Sequence, residues 1–251
     1  MVIDGSKPTR HIEWQFAKVR EIVIETTRVK TLLLEPVRPF HHLPGQHVDV
    51  RLTAEGGYHA QRSYSIASAP EDDLLALTVE RVADGEVSPY LVDELRPGDK
   101  LELRGPIGGH FVWDAGALDP LYLIAGGAGV TPLMAMLRHR KKVSRRVPAM
   151  LLYSARSCPD LIFRIELDAM AREDTALQVA YTLTRQQPDG WHGHCGRIDK
   201  KRLASIGFPP SRAPAIYICG PTGFVETVSS SLVELGYDSA RIKTERFGPS
   251  G

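Results

Sequence analysis

The rhythm of apolar residues changes once along this chain, and that change limits the folds open to it. From about Trp14 to Phe111 they fall in short runs rich in β-branched side chains, such as Val19-Arg20-Glu21-Ile22-Val23-Ile24-Glu25, Thr31-Leu32-Leu33-Leu34, His47-Val48-Asp49-Val50-Arg51-Leu52 and Leu75-Ala76-Leu77-Thr78-Val79. Pro36, Pro44-Gly45, Gly56-Gly57 and Pro97-Gly98 break these runs at near-even spacing, which predicts a small antiparallel barrel. After residues 113–120 each apolar strand is followed by a helical pattern: 121–124 before 133–140, 149–153 before 161–170, and 215–219 before 224–235. Alternation of this kind predicts a parallel sheet with helices on both faces. Two domains are therefore expected, an antiparallel β-barrel over residues 12–115 and an α/β parallel-sheet domain over 116–251. The last helix carries Phe224, Val228, Leu232 and Leu235 in one apolar stripe ended by Gly236.

Composition narrows the classes of function. With 251 residues, 43% of them hydrophobic, and a net charge of +1, nothing points to nucleic acid or a membrane surface. The longest uncharged run, residues 121–137, is interrupted by glycines and Pro132 and reads as strand, loop and helix, not as a membrane span. Residues 1–11 lack the apolar stretch of an export signal. Cys158, Cys195 and Cys219 are widely spaced, which suits a reducing cytoplasm and cannot supply the four clustered thiolates of an iron–sulfur centre. His192-Gly193-His194-Cys195 has no fourth ligand at suitable spacing, so no metal is expected, and His41-His42 reads as a solvated loop.

Arg62-Ser63-Tyr64-Ser65 carries the most chemistry. On a strand, successive side chains alternate, so Arg62 and Tyr64 share one face and Ser63 and Ser65 the other. A flavin linked to a pyrophosphate asks for such a set: a guanidinium for phosphate oxygens, a phenol ring to lie against the flavin, and a hydroxyl for the ring nitrogens. Three further stretches share one device, a turn delivering a helix N-terminus: Gly85-Glu86-Val87-Ser88-Pro89, Gly127-Ala128-Gly129-Val130-Thr131-Pro132 and Gly220-Pro221-Thr222-Gly223. Ser88 and Thr131 are expected as N-caps, with Pro89 and Pro132 in the first helical position, and each turn is a candidate anion cradle.

In order along the chain, four blocks resemble the ferredoxin–NADP⁺ reductase family from about Trp14 to Gly251: Arg62-Ser63-Tyr64-Ser65, Gly105-Pro106-Ile107-Gly108-Gly109-His110-Phe111, Ala125-Gly126-Gly127-Ala128-Gly129-Val130-Thr131-Pro132-Leu133 and Tyr217-Ile218-Cys219-Gly220-Pro221-Thr222-Gly223. The resemblance implies that the barrel binds FAD through Arg62, Ser63, Tyr64 and Ser65 with Val87 and Ser88, and that Gly127, Gly129, Thr131, Gly220 and Pro221 receive a nicotinamide dinucleotide. It places Cys219 where nicotinamide meets flavin, in a positioning role without covalent chemistry, and Ser65 and Glu245 with it in the catalytic group. Phe247 stands where plant-type members end on a tyrosine over the flavin, and Glu245 is expected to manage protons. Arg156, Thr184, Arg185 and Arg197 are expected to bind the 2′-phosphate of NADPH, with NADH as the alternative donor, because a dianion favours bidentate guanidinium and no acidic residue ends the second strand of the α/β domain.

The expected activity is hydride transfer from NAD(P)H to FAD, then single-electron delivery to a separate ferredoxin- or flavodoxin-like protein. The alternatives are a reductase component dedicated to an oxygenase or molybdenum enzyme, or a flavin electron-transfer subunit that turns over no nicotinamide. The run Arg138-His139-Arg140-Lys141-Lys142-Val143-Ser144-Arg145-Arg146 reads as a solvated helix end or, more sharply, as a docking patch for an acidic partner.

Overall fold

The computed structural model describes residues 12–54, 56–143 and 146–248. The expectations for residues 1–11, for Arg145 and for the tail 249–251 lie outside them. Strands β1 (Trp14–Ile24), β2 (Val29–Pro36), β3 (His47–Thr53), β4 (His59–Ser65), β5 (Leu75–Glu80) and β6 (Lys100–Ile107) form one sheet in the order β4-β3-β6-β1-β2-β5. Every pairing in it is antiparallel, and a bridge from Ile66 to Leu77 brings its two edges together. Val19, Leu32, Leu34, Val48, Val50, Leu77 and Leu103 fill the interior, as the alternation along the strands requires.

The second sheet is wholly parallel. It is built from β7 (Leu121–Gly126), α1 (Val130–Lys142), β8 (Ala149–Ser157), α2 (Arg164–Glu173), β9 (Leu177–Gln186), β10 (His194–Cys195), α3 (Lys200–Ile206), β11 (Ala215–Pro221), α4 (Thr222–Glu234) and β12 (Ile242–Phe247). The strand order is β10-β9-β8-β7-β11-β12. Along β7, Leu121, Leu123 and Ala125 belong to the core shared with α1, whereas Tyr122 and Ile124 belong to the core shared with α4. The strand order reverses between β7 and β11, so the crevice at their carboxyl ends is where this architecture binds ligands.

Three local expectations are corrected. Ser88 does not cap the turn before Tyr90–Glu94; it is 6% exposed and its Oγ accepts a hydrogen bond from the Val82 N–H at 3.0 Å. Thr131 is no N-cap either, because a 3₁₀ turn over Gly127–Gly129 starts the helix earlier, places Gly129 at the cap and puts Thr131 and Pro132 inside the first turn. The second helix begins at Arg164, not near 161, since Leu161, Ile162 and Phe163 are drawn into the core as an extended lead-in that ends with Phe163 in the left-handed region, φ 59°.

The two sheets share a core. Val29, Ala67, Ala76, Phe111 and Trp113 from the barrel side pack with Tyr153, Ile162, Phe163 and Tyr217 of the parallel sheet. The basic run on α1 is tied up at this junction: Arg138 donates to both Glu166 carboxylate oxygens at 2.9 and 2.6 Å and to the Ala67 carbonyl at 2.9 Å. His139 Nδ1 stands 2.7 Å from Glu71 Oε1, Lys142 pairs with Asp72 at 2.5 Å, and Arg140, Lys141 and Arg146 pair with Asp174 or Glu173. Each described Lys or Arg of the run has an acidic neighbour, which argues against a free docking patch; the contacts of Arg138, His139 and Lys142 with Ala67, Glu71 and Asp72 reach the barrel, and the pairs with Glu166, Glu173 and Asp174 tie α1 to α2. Among the described residues no helix is long and apolar enough to cross a membrane.

Candidate active site

The β3–β4 hairpin positions the barrel half of the site. Arg62 is exposed on β4; its Nη1 donates to the Gln61 carbonyl at 2.7 Å, and its Nη2 lies 3.4 Å from Glu86 Oε2. Glu86 also accepts from the Tyr58 hydroxyl at 2.6 Å. The hairpin thus meets the turn before Ser88, so that Arg62, Val87 and Ser88 border one region, with Glu86 as a competitor for the guanidinium that the motif alone did not show. Val87 is fully buried in the barrel core. Tyr64 is half-buried against the barrel core, and burial pushes its phenol up to about 12, against the pull of Arg62. Ser63 faces the other way: its Oγ donates to Asp49 Oδ1 at 2.6 Å, and Asp49 also accepts from Arg104 at 3.0 Å. Ser65 pairs in register with His47.

The parallel sheet supplies the other half. A Cβ on Gly129 would stand 2.1 Å from the Cys219 carbonyl oxygen, and one on Gly220 would lie 3.2 Å from Gly126 Cα. Glycine at these positions lets the 127–129 turn press against the end of β11, and Gly127 takes φ +56°, a conformation that favours glycine. Thr131 is 3% exposed with no hydrogen-bond partner for its hydroxyl, an orphaned polar group behind this turn. β12 runs parallel to β11 with Cys219 opposite Glu245 and Pro221 opposite Phe247. Burial pushes the Cys219 thiol well up, with the Glu245 carboxylate adding to it, so the group is a neutral thiol. Burial also lifts the Glu245 carboxyl to about 7, and its Oε2 has no hydrogen-bond partner.

A cleft of about 290 Å³ opens at the carboxyl ends of β7 and β11, lined by Gly126, Gly127, Pro221, Phe224 and Phe247, by Arg156 and Thr184, and by Arg28 and Glu80 from the barrel. Thr184 is already engaged, its hydroxyl donating to the Ala155 carbonyl at 3.2 Å. Arg185 and Arg197 are exposed and outside the cleft lining. β8 ends on Arg156 and Ser157 without an acid, but Asp160, in the 3₁₀ turn directly after β8, lines the cleft and accepts from the Ser157 hydroxyl at 2.5 Å. Chain separation hid Arg28 and Glu80, whereas Asp160 was legible as an acid three residues past the strand.

These features fit the groups the motifs imply: an exposed guanidinium beside a turn for a pyrophosphate, and a glycine turn with an orphaned hydroxyl for a dinucleotide. Two family descriptions match the chain, an oxidoreductase FAD-binding domain over residues 15–113 and an oxidoreductase NAD-binding domain over 123–230. Ferredoxin–NADP reductase B of Sorangium cellulosum is 35% identical over 237 residues, covering 91% of each chain. The chain belongs to the ferredoxin–NADP reductase family. It is also 32% identical over 234 residues to the glycine betaine monooxygenase reductase subunit of Pseudomonas aeruginosa, covering 92% of its own length and 63% of that protein, so it spans less than two thirds of that relative. Among solved structures, the flavohem-like FAD/NAD-binding domain of nitric oxide dioxygenase from Vibrio cholerae superposes with a TM-score of 0.83 at 28% identity, covering 94% of this chain and 99% of that one. The chain thus joins an oxidoreductase FAD-binding domain to an oxidoreductase NAD-binding domain.

Proposed function

We propose that this reductase draws on NADPH in preference to NADH and delivers electrons one at a time to a small ferredoxin- or flavodoxin-like protein. The observation that carries the proposal is the junction itself: Ser65 and His47 from the barrel, Cys219 and Glu245 from the parallel sheet and the 127–129 turn converge at one end of the β7–β11 crevice. FAD, when bound, accepts a hydride as a pair of electrons and releases those electrons singly. The protein's part is alignment and exclusion of water. Arg62, now paired with Glu86, would hold the pyrophosphate, with the 86–88 turn beside it. Tyr64 and Ser65 would hold the flavin, and Ser63 on the opposite face of β4 fixes the strand to Asp49. The 127–129 turn with Gly220 and Pro221 takes the dinucleotide, Thr131 supplies a hydroxyl behind it, and the neutral Cys219 thiol sets the approach of the nicotinamide. Phe247 lines the cleft and would have to yield to a bound dinucleotide.

NADPH preference rests on Arg156 at the cleft wall with Arg28 opposite, supported by Thr184; Arg185 and Arg197 assist from outside. We assign the barrel to residues 12–115 and the dinucleotide domain to 116–251, a division crossed by the burial of Phe111 and Trp113 in the common core. The reductase-subunit relatives favour a second reading, a component dedicated to one oxygenase. Reduction of a ferredoxin by the purified chain with NADPH separates them: turnover with unrelated ferredoxins supports a general reductase, and turnover only with a cognate oxygenase partner supports the second reading.

A further inference from the structure

The stretch Phe111-Val112-Trp113, in the connection from β6 to β7, is gripped from both sides. On the barrel side the Trp113 N–H donates to the Pro44 carbonyl at 3.2 Å, and a Cβ on Gly45 would stand 2.0 Å from the Phe111 carbonyl oxygen. Gly45 takes φ +99°, so conformation and space both require glycine there. On the side of the parallel sheet the Val112 carbonyl accepts from the Tyr217 hydroxyl and from Lys243 Nζ, each at 2.9 Å. The Phe111 ring meets the Tyr217 ring edge-on, with centroids 5.4 Å apart. Lys243 Nζ also stands 5.2 Å from the centre of the Tyr217 ring, so its charge is held against both the ring and the carbonyl.

Tyr217 and Lys243 are partners in register on β11 and β12, and two residues further along the same strands stand Cys219 and Glu245. Residues two apart share a strand face, so the four side chains form two rows roughly 7 Å apart. The barrel repeats the spacing: Gly45 touches the linker, and His47, two residues on, pairs with Ser65. At the first row the linker fills the space between barrel and sheet. The second row bounds the place where flavin and nicotinamide would meet.

We propose that residues 111–113 are a spacer and that Lys243 and Tyr217 are positioning residues: by clamping the sheet to the Val112 carbonyl they set the distance between a barrel-held flavin and a nicotinamide beside Cys219. The proposal rests on the reductase reading. The two donors touch neither cofactor and act through the linker and through the strands that carry Cys219 and Glu245. Transfer between bound groups needs reacting atoms about 3–3.5 Å apart, and a misplacement of about 1 Å can cost on the order of 100-fold in rate. The Val112 carbonyl suits this task because its neighbours on either side, Phe111 and Trp113, are fixed on the barrel by Gly45 and Pro44. A charged donor holds a carbonyl more firmly than a neutral one, so Lys243 carries the larger share.

The test compares Lys243→Met, which keeps an apolar stem and removes the donor, with Lys243→Arg, which keeps a donor, and with Tyr217→Phe. Lys243→Met is expected to slow the bleaching of bound FAD by saturating NADPH about ten- to a hundredfold, with FAD and NADPH affinities within about twofold of wild type. Lys243→Arg is expected to recover most of that loss. Tyr217→Phe is expected to act in the same direction by a smaller factor, and it keeps the test open where Lys243→Met fails to fold. A second readout needs no turnover: in the apoprotein, hydrogen exchange at the Trp113 amide, read by mass spectrometry over residues 108–120, is expected to quicken in Lys243→Met because the linker loses a grip on one side. Unchanged bleaching in Lys243→Met, even with a lowered Tm, leaves the lysine a structural role and overturns the proposal. A loss that appears in NADPH affinity and not in rate, no recovery in Lys243→Arg, or unaltered exchange at Trp113 overturns it too. A wild-type chain that takes up no FAD overturns the reductase reading, whereas a yellow, NADPH-reducible protein with unaltered exchange in the variants overturns the spacer alone.

Discussion

At the scale of single residues the barrel half of the site turns on Arg62. Among the described residues it pairs with Glu86, 3.4 Å away, with both side chains about half exposed, so this pair holds the guanidinium only weakly. A charge-assisted hydrogen bond contributes ~1.5–3 kcal/mol, so Arg62→Ala is expected to weaken FAD about ten- to a hundredfold, read by fluorescence titration of the apoprotein. Glu86→Gln removes the competitor and is expected to tighten FAD slightly; weakening instead places Glu86 among the groups that hold the cofactor. Glu245 makes a second prediction, with a definite sign. Its folded carboxyl is lifted by burial from 4.5 to about 7, so its contribution to stability is complete below pH 4.5 and is lost as pH rises through 7. Glu245→Gln escapes that loss and is expected to be more stable than wild type at pH 8 by about 3 kcal/mol at most, the gap closing toward pH 4.5. Urea titrations across pH measure it, and an equal advantage at every pH contradicts the assignment. For the dinucleotide, Arg156→Ala is expected to raise the NADPH KM at least tenfold with little change for NADH, and Arg185→Ala much less; the reverse order returns the 2′-phosphate to the outer arginines.

At the scale of elements, the glycine turn and the last strand decide the geometry. Gly129→Ala drives a methyl group to 2.1 Å from the Cys219 carbonyl, backbone against backbone, and is expected to cost about 3 kcal/mol and roughly 10 °C in Tm, with dinucleotide binding lost. Gly127→Ala meets no neighbouring atom and should suffer only from its positive φ, a contrast that thermal melts resolve. Most strands were legible because period-two alternation and Pro/Gly turns survive any packing, as β3 and its turns show. Helix starts were not: Thr131 has the right chemistry for a cap, but close packing of Gly129 on β11 draws the helix back by two residues. Asp199, an N-cap whose Oδ1 accepts from the Arg202 N–H at 2.8 Å, followed the ordinary rule yet headed a seven-residue helix with no apolar stripe to announce it. The site was legible in its motifs, Arg62 to Ser65 and Gly126 to Gly129. His47, Arg28 and Glu80 come to it only through the folding of one sheet against the other, which no local pattern records.

At the scale of the whole molecule the two sheets are joined by a common core and by three contacts from α1, those of Arg138 with Ala67, His139 with Glu71 and Lys142 with Asp72. Arg138 is 18% exposed and holds Glu166 through two hydrogen bonds while reaching the Ala67 carbonyl. Arg138→Met is expected to lower stability by about 2 kcal/mol in urea unfolding and to loosen the cleft, raising KM for the dinucleotide more than it weakens FAD. Equal effects on both cofactors contradict a role at the junction. All of this serves one claim, that a barrel-bound flavin and a dinucleotide at the β7–β11 crevice meet beside Cys219 and Glu245. The most direct measurement is anaerobic mixing of the FAD-loaded chain with NADPH while the flavin absorbance is followed. The account predicts that one equivalent of NADPH bleaches the flavin and that Cys219→Ala keeps the flavin bound but slows the bleaching. A flavin that stays oxidised with both NADPH and NADH contradicts it.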